Sequence, residues 1–79
     1  HDQLEVDGLI QHGTRELLFE IKASRTANPG DASSIEKWLK LRGLDGFGIV
    51  IYAGEDYLHL SENVRAVPAS LLFGPHRRS

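Results

Sequence analysis

Residues 4–23, LEVDGLIQHGTRELLFEIKA, decide the fold predicted for this chain. Apolar and polar side chains alternate on both sides of Gly13-Thr14, which is the pattern of two half-buried strands joined by a tight turn. Glycine in the first position of a two-residue loop suits a type II′ turn, because that position needs a positive φ. The stretch therefore predicts a β-hairpin in which His12 pairs with Arg15.

This register places four ionisable side chains on one face of the hairpin. Asp7 is expected opposite Glu20, and Glu5 opposite Lys22. Two carboxylates directly across a ladder lie ~5 Å apart at Cβ and repel each other, unless a divalent cation binds between them. Two interpretations follow: Asp7 and Glu20 hold Mg²⁺ or Mn²⁺, or the four side chains form the solvated face of an ordinary hairpin.

Lys22 favours the first interpretation. It follows Glu20 by two residues and so points to the same face, where an ammonium group can orient a water molecule or balance charge on a phosphate. A magnesium ion on one or two carboxylates keeps open positions for water and phosphate oxygens. Leu9 and Leu18 oppose each other on this face, which indicates a partly covered cleft.

The middle of the chain predicts a helix that packs on one face of the sheet. Asp31 is suited to be the N-cap of a helix running to about Arg42, and Gly43 is suited to end it. Its apolar stripe consists of Ile35, Trp38 and Leu39. Residues 47–52 form an apolar run rich in β-branched side chains, typical of a central strand covered on both sides.

The fold class predicted from this order is α/β, with a mixed sheet. A right-handed crossover through the helix would set the third strand parallel to the second. Residues 57–60 and 64–67 read as two short edge strands, and Pro68 begins a short helix. Residues 74–79 are expected to be a flexible tail.

Length and composition restrict the possible classes of protein. At 79 residues the chain makes a single domain, 1–79, with a small core, and it contains no stretch apolar enough to enter a membrane. The absence of cysteine favours a cytoplasmic protein, and a net charge of −2 gives no overall attraction to nucleic acid. A chain without methionine that begins almost directly at a strand is interpreted as a piece of a longer protein.

Two segments carry a resemblance to a known family. Residues 5–7, Glu-Val-Asp, followed after the hairpin by residues 19–24, Phe-Glu-Ile-Lys-Ala-Ser, resemble the motif of the PD-(D/E)XK nuclease superfamily. The order of segments along the chain is similar to that in the C-terminal nuclease-like domain of bacterial and archaeal AAA-type ATP-binding proteins. The segments are EVD, EIKAS-R, a helix with Trp-Leu, IVIY-GE and a closing VPASLLFG. This similarity covers nearly the whole chain.

The resemblance implies a restriction-endonuclease-like core that lacks its first helix. It implies Asp7 and Glu20 as ligands of Mg²⁺ or Mn²⁺ and Lys22 as the catalytic lysine. Accessory residues would be Glu5, Ser24 and Arg25. The chain contains no G-x-x-x-x-G-K-[ST] phosphate loop, so no ATPase site is expected in it.

Two functional hypotheses of different class remain at this point. In the first, the domain hydrolyses phosphodiesters of nucleic acid with the help of Mg²⁺. In the second, it is a noncatalytic interaction module, in which the acidic residues are a remnant and exposed apolar residues dock the N-terminal ATPase region of the parent protein or a second copy. The response to a metal ion separates the two.

Overall fold

The computed structural model describes residues 6–42 and 45–73, which form one α/β layer structure. The strands are β1 (Gly8–His12), β2 (Arg15–Lys22), β3 (Gly46–Tyr52), β4 (Leu58–Ser61) and β5 (Val64–Pro68). The helices are α1 (Ser33–Arg42) and α2 (Ala69–Phe73), and a 3₁₀ turn at Pro29–Ala32 precedes α1. Three predictions, on Glu5, Gly43 and the tail 74–79, fall outside the described residues.

The predicted hairpin is confirmed. Strands β1 and β2 pair antiparallel from His12–Arg15 to Gly8–Phe19. The backbone of Gly13 has φ of 65°, and no non-glycine residue among those described has a positive φ. A positive φ at the first loop residue alone is the signature of a type II′ turn, which matches the right-handed twist of the two strands.

The sheet is mixed, as predicted, and has the order β1-β2-β3-β5-β4. The central strand is β3, which runs parallel to both β2 and β5, whereas β1 and β4 pair antiparallel with their neighbours. Residues 57–60 and 64–67 were predicted to form two edge strands. Only β4 lies at an edge of the sheet, because β5 pairs with β3 on one side and with β4 on the other. The buried β5 side chains Val64 and Ala66 contribute to the core, which requires neighbours on both sides.

The helical segment begins earlier than predicted, and its first cap is Asn28 rather than Asp31. Asn28 Oδ1 accepts a hydrogen bond from the Gly30 amide at 3.0 Å, and Asp31 Oδ2 accepts one from the Asn28 amide at 2.8 Å. This reciprocal pair is a capping box around the 3₁₀ turn, with Pro29 in a first-turn position that needs no N–H. The prediction of Asp31 as N-cap is therefore wrong by one turn.

The hydrophobic core lies between α1 and one face of the sheet. Its fully buried large side chains include Leu18, Ile35, Val50 and Val64, and Trp38 packs against this cluster, as predicted. The helix approaches β3 closely, since a Cβ at Gly48 would lie 2.3 Å from Ile35 Cγ2. No helix within 6–42 or 45–73 is long and apolar enough to cross a membrane.

Candidate functional site

Glu20 and Lys22 lie on the face of β2 that α1 covers. Side chains alternate along the strand, so both share this face with the buried residues Glu16 and Leu18. Glu20 and Lys22 are half-buried. The alternative of a fully solvated hairpin face is therefore wrong for the β2 half of the predicted site, and the expectation of a partly covered cleft fits better.

Lys22 forms an ion pair with Asp31 across the loop that joins β2 to α1. Lys22 Nζ lies 2.5 Å from Asp31 Oδ2, and both side chains are about three-quarters buried, with exposed fractions of 26% and 22%. The same Asp31 oxygen accepts the Asn28 amide of the capping box. The lysine is thus held in place by a carboxylate that is itself fixed by the start of the helical segment.

The environment keeps Asp31 ionised. Burial raises the pKa of the Asp31 carboxyl group, but the hydrogen bonds from Lys22 and from the Asn28 backbone, together with the charge of Lys22, outweigh it and leave the pKa below its ordinary value. At neutral pH Asp31 is a carboxylate, so the pair with Lys22 is a full ion pair. The Lys22 ammonium group therefore donates a hydrogen bond to the Asp31 carboxylate.

Asp7 reaches the same region from the beginning of β1, although it does not form the predicted pair across from Glu20. Its amide donates to the Phe19 carbonyl at 2.9 Å, and Phe19 is already the ladder partner of Gly8. Asp7 lies just before β1, and the ladder between β1 and β2 ends at the Gly8–Phe19 pair, so Asp7 is not held in the regular register. Asp7 Oδ2 accepts a hydrogen bond from the Ile21 amide at 2.6 Å, so its carboxylate lies beside the backbone between Glu20 and Lys22.

Asp7 Oδ2 thus lies at the Ile21 amide, and Glu20 and Lys22 flank Ile21 at the carboxyl end of β2, where the parallel neighbour β3 also ends. The loop after β2 continues this edge, because the Ala53 amide donates to the Ser24 carbonyl at 2.8 Å. Arg25 is exposed in this loop, and its carbonyl would lie 2.7 Å from a Cβ at Gly54. The carboxyl edge of parallel strands is the usual location of ligand sites in open α/β sheets.

The donor chemistry of this edge fits a hard divalent cation held by two carboxylates. A carboxylate offers about four acceptor positions, so the hydrogen bond from Ile21 leaves Asp7 capacity for a metal ion. Within residues 6–42 and 45–73 there is no group of three or more histidine, cysteine or acidic side chains that could hold a metal. The donors present match Mg²⁺ with water and substrate oxygens, and they do not match a closed structural site.

Sequence reasoning missed the role of Asp31 and a second ion pair on the same strand. The Glu16 side chain has no exposed surface, and the Arg42 guanidinium binds it with N–O distances of 2.8 and 3.0 Å. The capping box Asn28-Pro29-Gly30-Asp31 was readable in the sequence as a helix start. No local pattern connects Asp31 with Lys22 or Arg42 with Glu16, because both pairs form only when α1 packs on the sheet.

Comparison with protein families identifies the chain. The sequence model of a family described as a domain of unknown function, DUF4143, matches residues 1–72, which is most of the chain, and the chain belongs to this family. No curated protein and no solved structure gives a significant match.

Proposed function

We propose that this member of the DUF4143 family is a nuclease-type domain that binds Mg²⁺ through Asp7 and Glu20 and acts on phosphodiester bonds. The observation that carries the proposal is the 2.6 Å hydrogen bond from the Ile21 amide to Asp7 Oδ2, which brings the Asp7 carboxylate next to the Glu20-Ile21-Lys22 segment. Asp7 is exposed, Glu20 and Lys22 are half-buried, and all three lie near the carboxyl end of β2.

Each residue has a distinct part in this proposal. Asp7 and Glu20 would hold the ion, which when bound polarises a phosphate and lowers the pKa of a water molecule. Lys22, positioned by Asp31, places a positive charge beside the same edge and balances negative charge on the phosphate. Ser24 and Arg25 follow in the adjoining loop, where the exposed guanidinium can contact a nucleic-acid backbone.

The setting that we propose is the C-terminal part of an AAA-type ATPase in the cytoplasm. DUF4143 domains are typically found at the C-termini of such ATPases. Nucleotide hydrolysis would belong to the N-terminal region of the parent protein, since this chain contains no phosphate loop. The similarity to the PD-(D/E)XK motif at Asp7, Glu20 and Lys22 supports a nucleic acid as the substrate.

Thermal unfolding with and without millimolar Mn²⁺ tests the metal site. At ten times the dissociation constant, bound metal adds about 1.4 kcal/mol, which in a domain of this size raises the midpoint by roughly 5–10 °C. The double variant Asp7→Asn, Glu20→Gln should lose this rise. Asn at position 7 keeps an oxygen for the Ile21 amide, so the variant removes charge while the hydrogen bond can persist.

Glu62→Gln is the matched control, because Glu62 is exposed in the turn between β4 and β5, at the opposite edge of the sheet. It should keep the full response to Mn²⁺. Absence of any Mn²⁺ response in the unmodified chain, or an equal response in the double variant, contradicts the metal site. Cleavage of a labelled oligonucleotide that is unchanged by Glu20→Ala contradicts the nuclease function itself.

A noncatalytic interaction module is the second candidate, and two observations favour it. Lys22 is already engaged by Asp31, and a large apolar surface is exposed on the sheet face opposite α1. In this alternative the acidic edge is a remnant and the domain docks the ATPase region of its parent or a second copy. A chain that unfolds at the same temperature with and without Mn²⁺ supports this candidate over the nuclease.

A further inference from the structure

We infer that the face of the sheet opposite α1 is a contact surface through which two copies of this chain pack on each other. Alternate residues of β1, β2 and β3 point to this face, which we call the apolar face. Its central strand residues are Ile10, Leu17, Phe19, Ile49 and Ile51, which line one shallow hollow. The inference concerns the side of the sheet away from the proposed metal ligands. It does not rest on the nuclease proposal, and it names an occupant for the apolar surface that favours the noncatalytic candidate.

The apolar face is only partly covered within the described chain. Helix α2 follows β5 and closes one side of the hollow with Leu72 and Phe73, but α2 has no buried residue of its own. Phe73 is 68% exposed, and on the β1 side Ile10 is 54% exposed. A five-residue helix thus covers one side of the face, and the side formed by the hairpin stays open.

The area of this surface is near the lower limit of what a stable dimer needs. Further exposed side chains at the two ends of the face are Ile21 and Phe47. The exposed fractions of its five most exposed side chains, 40–68%, correspond to an apolar patch of roughly 500–600 Å², which is at the upper limit for patches on ordinary monomers. Two copies packed on this face would bury about 1,000–1,200 Å², close to the lower limit for specific stable interfaces.

The charge distribution does not oppose a second copy as the occupant. The hollow is lined by apolar side chains alone, so two copies would meet there without repulsion between like charges. One cation on this face, Arg65, is turned to its own chain. Its Nη1 donates to the carbonyls of Ser61 and Val64, and its guanidinium lies 5.1 Å from the centre of the Phe47 ring.

The shape of the face is compatible with twofold symmetry. Leu72 and Phe73 project beside one side of the hollow, while Ile10 forms the open side across from them. A twofold axis through the hollow places α2 of each copy over the open hairpin of the other. Such an isologous contact buries both halves of the face at once and closes after two copies.

Sedimentation equilibrium of the unmodified chain, in EDTA and up to millimolar concentration, tests the inference. The mass should approach that of two chains. Ile10→Lys and Phe73→Lys should each weaken association by at least about tenfold, because either lysine would be buried without a partner in the dimer. Both positions are exposed in the single chain, and circular dichroism verifies that the variants are folded.

Leu41→Lys is the matched control, since Leu41 is 75% exposed on α1, on the other side of the sheet. It should leave the dimer unchanged. A second measurement uses the absence of cysteine from the chain: Ile10→Cys mixed with Phe73→Cys should form an intermolecular disulfide faster than either variant alone.

Three results would overturn the inference: a chain that stays monomeric at millimolar concentration, a dimer that both lysine variants leave intact, or a dimer that Leu41→Lys weakens equally. A monomer that instead binds a different protein through this face assigns the surface to that protein. Because the experiment contains no divalent metal, its outcome is independent of the metal site, and a failure of one proposal leaves the other standing.

Discussion

The two faces of the sheet differ in a way that reverses the simplest expectation for a hairpin. The face under α1 contains Glu16, Glu20 and Lys22 as well as the core, whereas the face opposite α1 is apolar at its centre and only partly covered. On its covered side β2 carries Glu16, Glu20 and Lys22 as well as Leu18, whereas its open side carries Leu17, Phe19 and Ile21 after Arg15. Burial here follows from which face the helix can reach, and buried charge is tolerated where a partner neutralises it.

The helical layer supplies those partners from its two ends. Asp31, in the 3₁₀ turn before α1, binds Lys22 near the end of β2, and Arg42, in the last turn of α1, binds Glu16 near the start of the strand. An acidic residue at the beginning of the helical segment and a basic one at its end also suit the helix dipole. The two ion pairs fix both the direction and the position of α1 on the sheet.

Truncation of one apolar side chain on each face gives the largest expected difference. Leu18→Ala, on the covered face, should cost about 3–4 kcal/mol, because Leu18 has no exposed surface and its removal leaves a cavity. Ile10→Ala, on the apolar face, should cost less than about 1 kcal/mol in the single chain. Urea unfolding at low protein concentration measures both; equal costs would show that the apolar face is as well packed as the core.

Removal of Arg42 tests whether buried charge on the covered face depends on its partner. Arg42→Ala should cost about 2–4 kcal/mol, since it leaves the Glu16 carboxylate buried without its guanidinium. Adding Glu16→Leu to this variant should restore most of the lost free energy of unfolding. Lys40→Ala, an exposed change on the same helix, is the control and should stay within about 0.5 kcal/mol. A cost for Arg42→Ala no greater than this control would contradict the account.

Asp31→Asn gives a smaller effect and a dependence on pH. It should cost about 1–2 kcal/mol at neutral pH, because it removes the charge-assisted hydrogen bond to Lys22. The pKa of Asp31 is lower in the folded chain than in the unfolded chain, so the unfolded state binds more protons in acid. The contribution of Asp31 is complete above its unfolded pKa and disappears as the pH falls through its folded pKa.

Denaturant unfolding across the acid range measures this dependence. The unmodified chain should lose stability below about pH 4 more steeply than Asp31→Asn does, and the two curves should converge at the lowest pH. The variant retains an oxygen for the Asn28 amide, so the comparison isolates the pair with Lys22. Parallel curves at all pH values would show that Asp31 makes no ionic contribution.

Features with a local physical cause were predictable from the sequence. Gly13 determines the hairpin turn, because only the first loop residue needs a positive φ, and the turn length determines the register from His12–Arg15 onward. The apolar run at 47–52 correctly predicted the central strand, although the face of this strand opposite α1 is only partly covered. The periodicity of Ile35 and Leu39 predicted the buried side of α1. Each depends on residues close together in the chain.

The arrangement of the candidate site was predictable only in part. Asp7, Glu20 and Lys22 were predicted from their spacing and from a family motif, and their role as a metal site stays a prediction. The predicted pairing of Asp7 with Glu20 is absent from the ladder, which ends at Gly8–Phe19, and the Asp7 carboxylate accepts the Ile21 amide instead. Where a ladder ends is visible only when the two strands are paired.

By itself, then, the sequence determined the hairpin, the order of strands and helix along the chain and the mixed sheet, while the candidate metal site stays a prediction. The tertiary structure alone decided which face of β2 is covered, that Asp31 holds Lys22, and that Arg42 neutralises Glu16. The physical reason is the separation of the residues along the chain. Turns and periodicity arise from neighbouring residues, whereas these contacts join residues 9 and 26 positions apart. Such contacts depend on where a packed helix comes to lie, which no local pattern of side chains specifies.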